Sequence, residues 1–278
     1  MCMDIQHIYT DWCTQYTVTL DEVLGESDKV WRDRLVSRGL LILKGLGPDL
    51  TDQEFHAIMG KFGKLWTAVD YVTATGYYDP TLKVQPRNYF PTSYFTTSNN
   101  YWKDKDMKYH ADMAQIGDKS FPGRALYMVK TALDGSGDTE WLNLELAWSQ
   151  FTEEERAQYN GIEIVQHNMY DPGNDQTVYP FIKINPYSGK PSPRLNCYGK
   201  GRSWIHHVNK NGSEIENITE FMENTYKLCE SKQNTTYKHH WENGDMLIYD
   251  NWFSVHRRDP VTLQDGEADR LLKRLSFN

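Results

Sequence analysis

The segments of this chain that favour β-structure are short, and turn residues punctuate them. Residues 161–167 (GIEIVQH), 179–184 (YPFIKI) and 246–249 (MLIY) are rich in β-branched and aromatic side chains, and the last is entered through Asn243-Gly244-Asp245, a strong turn signal. Many short strands with a few peripheral helices favour a mostly-β jelly roll, or double-stranded β-helix, over a parallel βαβ sheet. No internal repeat, low-complexity tract or Pro/Ser-rich linker divides the 278 residues. One compact domain over residues 1–278 is therefore expected.

The helical signals are few and local. Ser27 caps a segment with Val30, Trp31, Leu35 and Val36 on one side, closed by Gly39, after which residues 40–43 (LLIL) read as a buried strand. Thr51-Asp-Gln-Glu54 has the form of a capping box, in which Thr51 and Glu54 satisfy each other's free backbone N–H groups. Phe55, Ile58, Met59 and Phe62 then recur at i, i+3, i+4 and i+7. A second box, Thr152-Glu-Glu-Glu155, opens a short helix ending near Gly161, and residues 218–230 read as another, with Phe221, Met222 and Tyr226 inward. Residues 70–108 are rich in Tyr, Thr, Asn and Pro without sustained periodicity, the pattern of short strands and long, functional loops. Their aromatic residues Tyr89, Phe90, Tyr94, Phe95, Tyr101 and Trp102 line a substrate lid or pack beneath it.

Charge and hydropathy exclude several partners. With 38 acidic and 30 basic residues the net charge is −8, which opposes a broad polyanion-binding face, so no nucleic-acid partner is expected. The longest apolar run, residues 39–46, is broken by Lys44 and falls short of the roughly 18 apolar residues of a membrane span, so no membrane partner is expected either. Asp4 stands where a signal peptide carries basic residues, and no apolar segment follows it. The cysteines, Cys2, Cys13, Cys197 and Cys229, lack zinc-ribbon spacing and read as free thiols of a reducing compartment. A cytoplasmic protein is the expectation, and a homo-oligomer is compatible with it.

Nine histidines make metal ligation the first chemistry to consider. In His110-Ala111-Asp112, residues i and i+2 would share one face of a strand. A third ligand from elsewhere would complete two His and one carboxylate, a set whose open positions suit non-heme Fe(II) and oxygen chemistry. Acids occupy about 14% of positions, so nine histidines yield roughly one His-x-Asp/Glu by chance. A second copy, His240-Trp241-Glu242, is present, and spacing alone does not choose between them.

The C-terminal block decides it. Tyr237-Lys-His-His-Trp241-Glu-Asn-Gly244-Asp245-Met-Leu-Ile-Tyr-Asp250-Asn251-Trp-Phe-Ser-Val-His256 is followed by Arg270-Leu-Leu-Lys-Arg274. It resembles the closing segment of the taurine dioxygenase-like (TauD/TfdA) family of Fe(II)- and 2-oxoglutarate-dependent oxygenases, where Trp-x-x-Gly-Asp leads into a strand ending Asp-Asn and then the distal His ligand. Gly137-Asp138-Thr139-Glu140-Trp141 is similar to the family's Gly-Asp-Thr-x-Trp segment. The resemblance spans roughly residues 39–278, though its motifs are short patches. Locally the block is also similar to carbapenem synthase, a member acting on a small bicyclic acid, which favours a small-molecule substrate.

The resemblance implies a cupin-like jelly roll with residues 70–108 as the lid region, and His110, Asp112 and His256 as ligands of Fe(II). His240 and Glu242 then become strand residues. It assigns Arg270, 14 positions past the distal His, to the remote carboxylate of 2-oxoglutarate, and Thr139 to its support; a rigid guanidinium fork suits a carboxylate. Arg274 falls at an arginine that faces substrate in some members and is structural in others. Asp106 falls where taurine-acting members place a substrate-binding polar side chain, so a carboxylate there points to an amine-bearing or amino-acid-like substrate; the plain alternative is a solvated loop acid. Arg257 and Arg258 directly follow the distal His, and an exposed basic pair is the simplest reading of them.

The implied reaction consumes 2-oxoglutarate and O2 and oxidises an unactivated C–H bond, with hydroxylation as the default and desaturation, cyclisation or epimerisation as variants. Asp112 argues against halogenation, for which the carboxylate ligand is lost to make room for chloride. Two other classes compete: a catalytically silent jelly-roll binding module, and a zinc hydrolase, which leaves Arg270 without a task.

Overall fold

The computed structural model describes residues 5–67, 69–70, 93–96, 107–112, 122–167, 176–196, 205–262 and 270–278. Its larger sheet has seven strands in the order Ile5–Thr10, Cys13–Thr17, Leu40–Lys44, Met246–Asp250, Gly123–Lys130, Leu271–Phe277, Ser93–Thr96. Cys13–Thr17 runs parallel to Leu40–Lys44, and the other pairs are antiparallel. A four-stranded sheet, Thr236–His239, Thr139–Asn143, Ser254–Arg258, Met107–His110, faces it. The expected mostly-β jelly roll is the architecture observed.

The alternation of side chains builds the layers. Leu40, Ile42, Leu126, Met128, Leu247, Tyr249 and Leu272 point from the larger sheet toward Trp141 of the smaller one and Trp241 just beyond its edge strand, closing the interior. Their neighbours Leu41, Leu43, Tyr127, Met246 and Ile248 point the other way, onto Trp31, Phe55 and Ile58 of the N-terminal helices and Phe62 of the turn that follows them. The outer face of the smaller sheet, with Leu142 and Val255, packs on the helices Leu144–Ser149 and Ile218–Glu230 and on a further sheet through Ile164 and Val208. That sheet has the order Ser213–Glu214, Ile205–Lys210, Ile162–His167, Gln176–Pro180. Among the described residues no helix is long and apolar enough to cross a membrane.

The helix starts agree with their capping signals, and the ends differ. Ser27 caps Asp28–Arg38, and Thr51 and Thr152 form reciprocal capping boxes with Glu54 and Glu155. Gly39 terminates the first of these at φ 84°, where a Cβ would lie 2.8 Å from the Phe253 ring, so glycine is required twice over. Val36, expected on the inward face with Trp31 and Leu35, is 57% exposed, because eleven residues of helix present only Trp31 and Leu35 to the core. The helix opened by Thr152 is Glu153–Ala157 alone, since the chain already turns at Gln158 to reach the strand at Ile162. The expected strand over 179–184 is two strands, Gln176–Pro180 and Ile182–Ile184, in different sheets. Phe181 breaks the run by donating its N–H to the Ile162 carbonyl and burying its ring. Cys13 and Cys229 are buried free thiols, pushed up in pKa by burial; Cys2 and Cys197 lie outside the described residues.

Candidate metal centre

Antiparallel register places a row of side chains across the inner face of the smaller sheet. His256 lies opposite His110 on one side and Trp141 on the other, with ring centroids 4.3 Å from His110 and 5.9 Å from Trp141. Asp112 does not share the strand with His110, as the His-x-Asp spacing implies: Met107–His110 ends at His110, and Asp112 belongs to the turn beyond it. Asn251 delivers the carboxylate instead. Its Oδ1 accepts the Asp112 N–H at 3.0 Å and its Nδ2 donates to the Asp112 carbonyl at 2.8 Å, a two-point clamp on the main chain.

These constraints bring one ligand atom from each of His110, Asp112 and His256 within 4.8 Å of the others, all three residues buried. His110 Nδ1 lies 2.9 Å from the Lys108 carbonyl oxygen, so that nitrogen carries the proton and Nε2 offers its lone pair. His256 Nε2 is 3.7 Å from Asp112 Oδ2. The rival pair is dispersed: the strand Thr236–His239 ends just before His240, so His240 and Glu242 lie in the connection to the next strand rather than in a strand. Both are exposed, His240 against Asp138 at 2.8 Å and Glu242 against Lys44 at 2.9 Å.

The protonation states suit a cation. Burial alone would raise the Asp112 pKa, but the Arg124 and Arg274 guanidiniums, 2.8 and 3.3 Å from Oδ1, more than offset it and hold the carboxyl well below its usual range. Tyr249 donates its hydroxyl to Oδ2 at 2.8 Å. Burial lowers the pKa of both histidines, that of His256 to about 3 with a further push from His110. Two neutral imidazoles and one ionised carboxylate result, the donor set of a non-heme Fe(II) centre.

Two residues along from Trp141, about 7 Å on strand geometry, Thr139 occupies the same inner face, opposite Arg258. Its Oγ1 accepts from Trp241 Nε1 at 2.9 Å, which leaves the hydroxyl proton free to donate. Arg270 lies over Gly137: a Cβ there would come within 3.5 Å of Arg270 Nε and 2.8 Å of Val261, and φ is 92°, so the backbone passes beneath the guanidinium only as glycine. Arg270 is buried and makes no ion pair with a described residue. Burial, with Arg258 beside it, brings its pKa down to about 9. A buried guanidinium in that state is stabilised by an incoming carboxylate.

Arg258 corrects one expectation, being 8% exposed and inward, two residues beyond His256. Arg257 alone is at the surface, paired to Glu140 at 2.9 Å. Arg274 reaches Asp112 from the larger sheet with its side chain 28% exposed, so it borders the candidate centre. Asp106 and the aromatic residues Tyr89, Phe90, Tyr101 and Trp102 lie outside the described residues, and Tyr94 and Phe95 are placed only as members of the edge strand Ser93–Thr96. Arg124, Tyr249 and Asn251 are site residues that motif reading missed. Asn251 had a local signal, the Asp-Asn pair closing the strand before His256; Arg124 is a lone arginine in a β-run and had none.

The sequence profile of the taurine catabolism dioxygenase TauD, TfdA family matches residues 4–276. No curated protein sequence gives a match. Among solved structures, AAD-2 in complex with Mn(II) and N-oxalylglycine is similar with a TM-score of 0.71 at 14% identity, covering 100% of this chain and 97% of that one. A taurine dioxygenase from Burkholderia xenovorans gives 0.64 at 17%, covering 99% and 90%, and PvcB from Pseudomonas aeruginosa gives 0.69 at 14%, covering 96% and 86%. At these identities the structural likeness establishes the shared fold, and the profile match over nearly the whole length establishes more. The chain belongs to the TauD/TfdA family and is a non-heme Fe(II)- and 2-oxoglutarate-dependent dioxygenase.

Proposed function

We propose that this dioxygenase hydroxylates an unactivated C–H bond of a small, amino-acid-like molecule, with His110, Asp112 and His256 holding Fe(II) and with Arg270 and Thr139 holding 2-oxoglutarate. The observation that carries this reading is the convergence of three buried metal-type ligands in a chain that also buries the Arg270 guanidinium without an ion pair to a described residue. When bound, iron and 2-oxoglutarate supply the oxidising power, O2 being consumed and succinate and CO2 released. The protein's part is placement. Asn251 fixes the main chain of Asp112, the Lys108 carbonyl orients His110, and Trp141 backs His256. Arg270 binds the remote carboxylate while Thr139 donates its hydroxyl proton to it. The apolar inner face of Leu126, Met128, Leu247 and Leu272 excludes water around them.

Arg274, part-exposed beside Asp112, offers an anionic end of the substrate a partner, and Asp106 offers one to an amine. A substrate carrying both groups uses both. Under anaerobic conditions Fe(II) plus 2-oxoglutarate gives a weak visible charge-transfer band, which a zinc site or a silent binding module does not give. Asp112→Ala abolishes the band. Arg270→Leu raises the 2-oxoglutarate concentration needed to develop it by at least about tenfold, the scale of a lost buried charge pair, and leaves metal binding intact. A wild-type response from folded Arg270→Leu removes the cosubstrate assignment.

A further inference from the structure

One buried cation has no place in that account. Arg124 lies on Gly123–Lys130 between Tyr249 and Ser276, its register partners on the adjoining strands, and all three project into the interior. Its side chain is 2% exposed. Ser276 Oγ accepts from its Nε at 3.2 Å and its Nη2 at 3.0 Å, which fixes the guanidinium plane, while Nη1 lies 2.8 Å from Asp112 Oδ1. Arg274 Nη1 approaches the same oxygen at 3.3 Å. The other oxygen has a different surrounding: Oδ2 accepts from the Tyr249 hydroxyl at 2.8 Å and faces His256 Nε2 at 3.7 Å. The two carboxylate oxygens are thus distinguished by the protein, one facing two guanidiniums and the other facing the Tyr249 hydroxyl and the His256 imidazole.

We infer that Arg124 is a positioning residue that keeps Asp112 Oδ1 out of the metal's coordination, leaving Oδ2 as the single ligand atom and competing with the metal for the carboxylate's charge. The inference rests on the metal reading of His110, Asp112 and His256. A carboxylate with both oxygens available can take two coordination positions; one pinned by a guanidinium takes one and leaves the other open for cosubstrate or O2. The same pin is a fixed positive charge beside the cation's seat, so it weakens metal binding while giving the metal-free carboxylate a partner.

The competition fixes an unusual sign. A residue that merely supports the fold would weaken metal binding when removed, whereas removal of a competitor strengthens it. Arg124→Met is expected to bind Mn(II), followed as loss of the free-ion paramagnetic signal, more tightly than wild type by at least about tenfold, a lower bound for removing a like charge from beside a cation at a buried site. Arg124→Lys, which restores the charge without the fork, brings the affinity back toward wild type. Ser276→Ala, which frees the guanidinium, shifts it by a smaller factor in the tightening direction and stands in if Arg124→Met does not fold. Unchanged or weaker Mn(II) binding in folded Arg124→Met, or in Ser276→Ala where that variant stands in, overturns the inference. Failure of the underlying metal reading looks different: His110→Ala then leaves wild-type Mn(II) binding unaltered.

Discussion

Asn251 holds the main chain of Asp112 on both sides, at the N–H and at the carbonyl. Asn251→Ala removes both bonds and lets the turn after His110 relax. Metal affinity is then expected to fall by about 10- to 100-fold, as for other residues that orient a ligand, measured by Mn(II) titration of folded protein; an unchanged affinity contradicts the clamp. The direction is opposite to that expected for Arg124→Met, so the pair separates a residue that presents the carboxylate from one that competes for it. At this scale the sequence was legible where chemistry is written locally. The block that ends in His256 singled out the His110–Asp112 pair that the structure clusters with it, which the spacing alone did not do. Arg124, Tyr249 and Arg258 were illegible because their importance depends on which face of a strand turns inward. Only the register between strands far apart in the chain decides that: Arg124 acquires its role from Tyr249 and Ser276, 125 and 152 positions away.

Among the elements, the Met246–Asp250 strand connects the interior to the outer layers. Its last residue, Asp250, accepts from the Trp252 N–H at 2.6 Å and from Asn185 Nδ2 at 3.0 Å, and Asn185 also donates to Glu145 at 2.6 Å. Burial, with Glu145 adding repulsion, raises the Asp250 pKa to about 6 against the opposing pull of Trp252 N–H, Asn185 and Lys183. A carboxyl whose folded pKa lies above its unfolded value near 3.8 contributes stability that is fully present below that value and is lost as pH rises through about 6. The stability of wild type relative to Asp250→Asn should therefore decline between about pH 4 and about pH 7 in urea unfolding. A difference independent of pH contradicts the shift. Helix starts were legible because a cap is a local bargain between side chain and backbone, as at Thr51 and Glu54. Ends and faces were not, because the packing of Phe181 and the exposure of Val36 are set by distant neighbours.

For the molecule as a whole, strand alternation sorts the side chains into an apolar interior near the candidate centre and two outer cores, and the short β-runs already implied such a jelly roll. Strand order was beyond local reading, since it brings Leu40–Lys44 beside Met246–Asp250 across two hundred residues of chain. Strand pairing likewise brings His256 beside His110, so that side chains from two distant parts of the chain converge on one candidate ion site. The most direct measurement is anomalous diffraction from crystals grown with Mn(II) and 2-oxoglutarate without oxygen. One strong peak is expected about 2 Å from His110 Nε2, Asp112 Oδ2 and His256 Nε2, with the cosubstrate's far carboxylate on Arg270. A peak elsewhere, or His256 turned away from the other two, contradicts it.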